Sequence, residues 1–177
     1  SSKAATRACA DSPSRFMEIK QPKGDFLIVP EVSSERRRYV PIGYAEGELI
    51  CSNKVRFLPN ASLYHFGILT SNVHMAWMRA VCGRLKSDYD YSIKIVYNNF
   101  PWSSPTEAQR AKIEQTAQAI LDARDLYPNC SLADLYDEVT MPPELRRAHQ
   151  QNDKAVMEAY GIPIKGTTEA SCVAELM

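Results

Sequence analysis

The sequence predicts an α+β fold: a small mixed α/β module with short strands and one or two helices, followed by an all-helical module. Two observations carry this. Up to about residue 102 the apolar residues are β-branched or aromatic and come in short runs broken by Pro, Gly, Ser and Asn. Beyond that point capping signals recur, each followed by apolar residues at helical spacing. A chain of 177 residues has room for one ordinary domain, or a compact one with a smaller companion. The expected boundaries are a linker or cut end over 1–14, the mixed module over 15–102 and the helical module over 103–177.

Taken in order, SSKAATRACADSPS is small and polar, with no apolar core of a signal peptide. The runs FLIVPEV (26–32), RRYVPIGY (37–44), NKVRFLP (53–59) and KIVYNNF (94–100) read as strands. Proline in the first three places them at sheet edges or strand ends. LYHFGILT fits a short helical piece, although Gly67 weakens the pattern. Ser71 is a suitable N-cap for a helix carrying Val73, Trp77, Ala80 and Val81, with Gly83 as its C-terminal cap.

In the second half, Ser104-Pro-Thr-Glu107 has the form of a capping box with proline at the first helical position. Ile113, Ala117, Ile120 and Leu121 then make an apolar stripe towards Tyr127. Ser131-Leu-Ala-Asp134 opens a second helix that buries Leu132, Leu135 and Tyr136. Pro142-Pro143-Glu144 opens a third, with Leu145, Ala148, Val156 and Ala159 inward and Gly161 ending it. The final GTTEASCVAELM has room for one more turn or two.

Several chemistries lack support. The 21 basic and 21 acidic residues cancel, whereas a protein living only by gripping phosphate is usually clearly basic. No apolar run is long enough to span a bilayer. Five scattered cysteines without a Cys-x-x-Cys pair point to reduced thiols in a cytoplasmic protein rather than to disulfides or zinc. His65 and His74 have no carboxylate or thiol at ligand spacing, and His149 with Asp153 reads as a surface hydrogen bond on one helix face. Glu18-Ile19-Lys20 is the one literal match to a nuclease Glu-x-Lys, a tripeptide common by chance. Asn99-Phe100-Pro101-Trp102 is close to the Asn-Pro-Pro-aromatic loop with which amino-methyltransferases hold a flipped base. Such a loop needs a Gly-rich turn for its adenosyl cofactor, and no two of the seven glycines lie within three residues of each other. IVYNNFPW is therefore expected to be a strand ending in a proline turn, with Phe100 and Trp102 packed against the mixed module.

What remains is polar surface. SSERRR (33–38) sets Arg36, Arg37 and Arg38 beside serines, a phosphate-binding composition. CSNKVR (51–56) and GRLKSDYDYS (83–92) mix Asn, Lys, Arg and Asp with tyrosines. These are the residue types that read base edges: Lys and Arg donate to guanine, Asn pairs with adenine, Asp and Glu accept from cytosine. Phosphate binding alone gives no reason to set Glu31, Asp88 and Asp90 among the basic residues. On composition alone, a solvated loop with ordinary salt bridges is the plainer reading.

The same stretches carry a resemblance. EIKQP, PEVSSERRRYVPIGY, SNKVRFLPNASLYHFGILTSNVHMAWMRAVCGRLKSDYDYS and IVYNNFPWS resemble the target-recognition domain of MmeI-like type IIL restriction–modification enzymes. SPTEAQRAKIEQTAQAILDARDLYPNCSLADLYDEVTMPPELRRAHQQNDKAVMEAYG resembles the helical C-terminal domain of that family, so the likeness runs over roughly residues 15 to 161. It implies that the chain is a C-terminal part of a longer DNA adenine methyltransferase, with nuclease, spacer and methyltransferase domains ahead of Ser1. It implies no catalytic site and no cofactor in this chain; S-adenosylmethionine, and magnesium for a nuclease, belong to the parent enzyme. The partners implied are double-stranded DNA and the upstream methyltransferase domain, with no membrane. Lys86 with Asp88, Glu31 with Asn53, and Lys54 with Asp90 match the family's base-specifying positions, while Arg36, Arg37 and Arg38 are phosphate candidates on physical grounds. The alternative is a structural or protein-interaction domain that packs on the methyltransferase domain without reading bases.

Overall fold

In the computed structural model the described residues are 3–12, 14, 22–45, 47 and 49–177. A short helix α1 (Ala4–Ala8) comes first. Three strands, β1 (Phe26–Pro30), β3 (Gly43–Ala45) and β4 (Val55–Pro59), form an antiparallel sheet in the order β3-β1-β4. A second antiparallel sheet, in the order β2-β6-β5, contains β2 (Val32–Ser33), β5 (Gly83–Leu85) and β6 (Asp88–Asp90). The helices are α2 (Leu63–Leu69), α3 (Asn72–Val81), α4 (Glu107–Asp125), α5 (Leu132–Leu135), α6 (Pro143–Tyr160) and α7 (Glu169–Leu176). This is the α+β organisation expected, with helices alone after residue 102.

Proline places the strand ends. Pro30 and Pro59 close β1 and β4, where a residue without an N–H costs the ladder least. The run 26–32 therefore divides at Glu31 into strands of two different sheets. Of the run 37–44 only its end is paired; Tyr39, Val40 and Ile42 instead turn their side chains into the core around Pro41.

Three expected elements are corrected. KIVYNNF is not a strand: Ile93–Tyr97 is a π-helical turn in which the Asn98 N–H donates to the Ile93 carbonyl at 2.9 Å. Asn99 holds it closed, its Nδ2 donating to the carbonyls of Lys94 and Ile95 at 2.9 and 3.0 Å, and Trp77 Nε1 donates to the Val96 carbonyl at 3.0 Å. Gly83 does not cap α3; Cys82 is already extended and Gly83 begins β5. The capping box of α4 sits two residues later than Ser104, with Thr106 as N-cap and Gln109 as its reciprocal partner. Pro105 therefore precedes the N-cap instead of standing at the first helical position, which Glu107 takes.

The other helix signals hold. Ser71 accepts from the His74 N–H at the head of α3, and Ser131 accepts from the Asp134 N–H at the head of α5. Gly161 takes a left-handed φ of 69° at the end of α6. Ile113, Ala117 and Ile120 are fully buried, with Leu121 partly so.

The two halves share their cores. One cluster joins Leu27, Tyr39, Phe66 and Met75 to Ala117, Ile120 and Leu145. Another joins Tyr64, Ile68, Val73 and Phe100 to Ile113, Val156 and Cys172. Gly67 is where α2 meets α4: a Cβ there would lie 2.7 Å from Ile113 Cγ2, too close for any real contact. Asn152 on α6 donates to the Gly67 carbonyl at 2.7 Å, which fixes the crossing.

A buried polar chain completes the junction. Tyr39 donates its hydroxyl to Asp153 at 2.7 Å and stacks on His149 with ring centroids 4.2 Å apart. Arg124 donates to the Ile42 carbonyl at 2.9 Å and to the Tyr136 hydroxyl. His149 and Asp153 are thus not a surface pair; both lie in the interior, where burial pushes the Asp153 carboxyl up to about 6.

Phe100 is 4% exposed and Trp102 is half-buried, ringed by Tyr64, His65, Tyr97 and Phe100. Deleting a buried phenylalanine side chain costs about 3–5 kcal/mol. Phe100→Ala is therefore expected to destabilise more than Trp102→Ala in urea denaturation. An equal or inverted order would show that the tryptophan carries the packing.

Candidate nucleic-acid interface

The surface is built around Glu31. Its N–H donates to the Lys54 carbonyl at 3.0 Å, and its own carbonyl accepts from the Tyr91 N–H at 2.8 Å. One residue thereby ties the first sheet to the second. The next residue, Val32, pairs with Asp90.

Beside it, SDYDYS runs with the two-residue period of a strand half-buried on one face. Tyr89 and Tyr91 turn inward and are 8% and 4% exposed, while Asp88 and Asp90 stay at the surface. The Tyr91 hydroxyl and His74 Nε2 share a hydrogen bond of 3.0 Å. Burial holds that imidazole neutral, its pKa lowered to about 3. The Tyr89 ring lies 4.1 Å from the Arg84 guanidinium and 5.9 Å from that of Arg79. Two aromatic anchors thus fix a strand whose acidic residues face out.

Lys86 occupies the two-residue loop between β5 and β6 and has a φ of 59°. For a lysine that conformation costs on the order of 1–2 kcal/mol, where glycine would hold it with less strain. The loop thus carries a long cation, in solvent, at a cost in stability. Arg84 steadies the hairpin by donating to the Ser87 carbonyl at 2.8 Å and pairing with Glu35 at 3.7 Å.

The structure gathers the expected residues unevenly. Glu31, Lys54 and Asp90 meet at the junction of the sheets through their backbones, with Asn53 beside Lys54 in the exposed turn before β4. Lys86 and Asp88 lie together at the hairpin tip. Among the described residues no ion pair or hydrogen bond joins Lys86 to Asp88 or Lys54 to Asp90. Glu31 is engaged, accepting from Arg56 at 2.6 Å. Arg36 and Arg37 line a cleft with Ser34, Glu35, Ser87 and Asp88, which brings the arginine loop against the hairpin; Asp137 and Glu138 also line it. Arg38 leans instead on Tyr39, its Nε donating to the hydroxyl at 3.3 Å.

Sequence reasoning passed over Arg56, Arg79, Arg84 and Tyr89. The Tyr-Asp-Tyr alternation was a visible signal for the last; the arginines declare themselves only through partners distant in sequence. Arg79 donates to the carbonyls of Arg37 and Arg38 and pairs with Glu169 of α7. His65 serves the head of α2, where its Nδ1 accepts from the Ser62 N–H at 3.2 Å. Among the described residues no group of three or more His, Cys, Asp or Glu side chains is placed to hold a metal. No helix among them is long and apolar enough to cross a membrane. The Glu18-Ile19-Lys20 tripeptide lies outside the described residues.

Comparison with known proteins gives a consistent pattern. Residues 1–104 match the target recognition domain of MmeI, and residues 105–177 match its C-terminal domain. DNA methyltransferase A of Bacillus subtilis (strain 168) is 40% identical over 155 residues, covering 88% of this chain and 18% of that protein. The solved structure of the type IIL restriction–modification enzyme MmeI in complex with DNA superposes with a TM-score of 0.90 at 49% identity. That match covers 99% of this chain and 23% of the other, so the chain spans about a fifth of the relatives it matches.

If Tyr89 anchors the hairpin, Tyr89→Ala frees it without unfolding the rest. Amide exchange over 83–90 is expected to accelerate about tenfold or more, with α4 and α6 still protected. Uniform acceleration through the whole chain would contradict a local anchor.

Proposed function

Because the chain belongs to the MmeI family, we propose that it is the sequence-reading part of a DNA adenine methyltransferase of the restriction–modification type. It reads base edges of double-stranded DNA, so that a catalytic domain in the rest of the polypeptide methylates adenine. S-adenosylmethionine, and magnesium for any nuclease activity, are bound by that larger remainder. The working compartment is the cytoplasm, and the principal partners are the duplex and the upstream methyltransferase domain.

The observation that carries this reading is the composition of one small surface. Donors on Asn53, Lys54 and Lys86 stand beside acceptors on Asp88 and Asp90, all on backbone held by the two sheets. Major-groove edges present both kinds of partner, guanine O6 and N7 to a lysine and the cytosine or adenine amine to a carboxylate. A surface that only neutralised phosphate would have no use for the carboxylates, which phosphates repel. Arg36 and Arg37, in the adjoining loop, are the residues suited to set register on the backbone. With net charge zero, the chain by itself has little nonspecific affinity, and much of the phosphate contact falls to the remainder of the enzyme.

The helical half acts as a brace. Its helices α4 and α6 hold α2, and α7 reaches the arginine loop through Glu169 and Arg79.

The test is an exchange of charge at the hairpin tip of the full-length enzyme. Lys86→Glu with Asp88→Arg is expected to change the base accepted at one target position while methylation continues. A good base contact is worth about 1–3 kcal/mol, so the preference at that position should move by roughly ten- to a hundredfold. Sequencing of methylated sites reads the result. Sites identical to those of the unaltered enzyme would remove Lys86 and Asp88 from the reading surface and favour a packing role.

A further inference from the structure

Arg56 lies on β4 opposite Val29; the next pair in the ladder is Pro30 with Val55, and one step beyond it Glu31 meets Lys54. Arg56 and Glu31 are therefore diagonal neighbours across the strand pair, close enough for long side chains to meet. They do: Arg56 Nη2 donates to Glu31 Oε1 at 2.6 Å, and the two side chains remain 39% and 28% exposed. Among the described residues this is the only partner of the Arg56 side chain. A pair this open to water adds little to the stability of the fold.

Its geometry suits a different task. The backbone of Glu31 is fixed on both sides, to Lys54 and to Tyr91, so only the side-chain torsions are left to settle where its carboxylate points. Arg56 settles them by holding one oxygen and leaving Oε2 free to accept. It also neutralises the carboxylate, which otherwise has to approach the phosphate polyanion against Coulomb repulsion. We propose that Arg56 is a positioning residue of the reading surface: it aims Glu31 at an exocyclic base amine, and base discrimination at that position depends on it. This rests on the reading of Glu31 as a base-contacting residue.

The contact is a single N–H to a single oxygen, so one ammonium donor can replace it, unlike a bidentate fork. That gives a signature which bulk electrostatics does not share. Arg56→Gln removes the charge and the strong donor, Arg56→Met keeps the apolar stem alone, and Arg56→Lys keeps the charge and one donor.

The measurement is methylation by the full-length enzyme on duplexes in which each target position carries each of the four base pairs in turn. Glu31→Gln locates the position that Glu31 governs. Arg56→Gln and Arg56→Met are then expected to flatten the preference at that same position by about tenfold and to leave the others unchanged. Arg56→Lys should restore most of the preference, and Arg56→Gln placed on Glu31→Gln should add little further loss. Should Arg56→Gln fail to fold, Arg56→Met and Arg56→Lys alone decide. An equal loss across all base pairs, or a changed preference at a different position, would overturn the role of Arg56. If Glu31→Gln leaves every position unchanged, the reading of Glu31 itself fails, and the positioning role falls with it.

Discussion

Two backbone hydrogen bonds at Glu31 hold the arrangement together. Pro30 ends β1 because it has no N–H for the ladder, and the following residue is left to bridge two sheets at once. Its N–H reaches Lys54 and its carbonyl receives Tyr91. Together with the pairing of β2 and β6, that bridge joins the turn before β4 to the hairpin of β5 and β6. With it, acceptors and donors from three separate stretches of sequence face solvent as one surface. Shape is set there by main-chain bonds rather than by the exposed side chains.

The surface stands on a core that both halves of the chain build. Tyr91 reaches His74 on α3, and α3 in turn meets Asp153 of α6 through the Asn72 N–H at 2.7 Å. Tyr39, which follows the arginine loop, donates to the same carboxylate. A buried acceptor with two donors from distant segments is expensive to lose, because truncating it leaves both donors unpaired. The helical half therefore extends the mixed module rather than trailing from it. Its contribution is positional: it fixes where the arginine loop ends and where α3 begins.

Much of the fold was legible. Ser131, Pro143 and Gly161 announced helix ends through local chemistry that tertiary packing had no reason to override, and Ile113, Ala117 and Ile120 declared a buried stripe. Where the reading failed, a short-range rule met a specific partner. Ile93, Ile95 and Val96 look like strand, yet Asn98 and Asn99 close the segment into a π-turn. The asparagine that resembled a catalytic group is a cap for carbonyls. Gly83 looked like a helix stop but opens a strand against Asp90. Of the surface, the polar clusters were visible in composition, and the resemblance to a family pointed to particular positions within them. Arg56 was not visible, because nothing in VRFLP indicates that its second residue meets Glu31 across a strand pair.

The central claim is that DNA meets the mixed half of the chain at the junction of its two sheets. The most direct measurement is a chemical-shift titration of the isotope-labelled chain with a duplex carrying the sequence that the full-length enzyme methylates. The account predicts perturbations concentrated at residues 31–38, 52–56 and 83–90, weakening steeply with added salt. Shifts confined to residues 105–177, or none at high duplex concentration, would contradict it and make this region a packing domain.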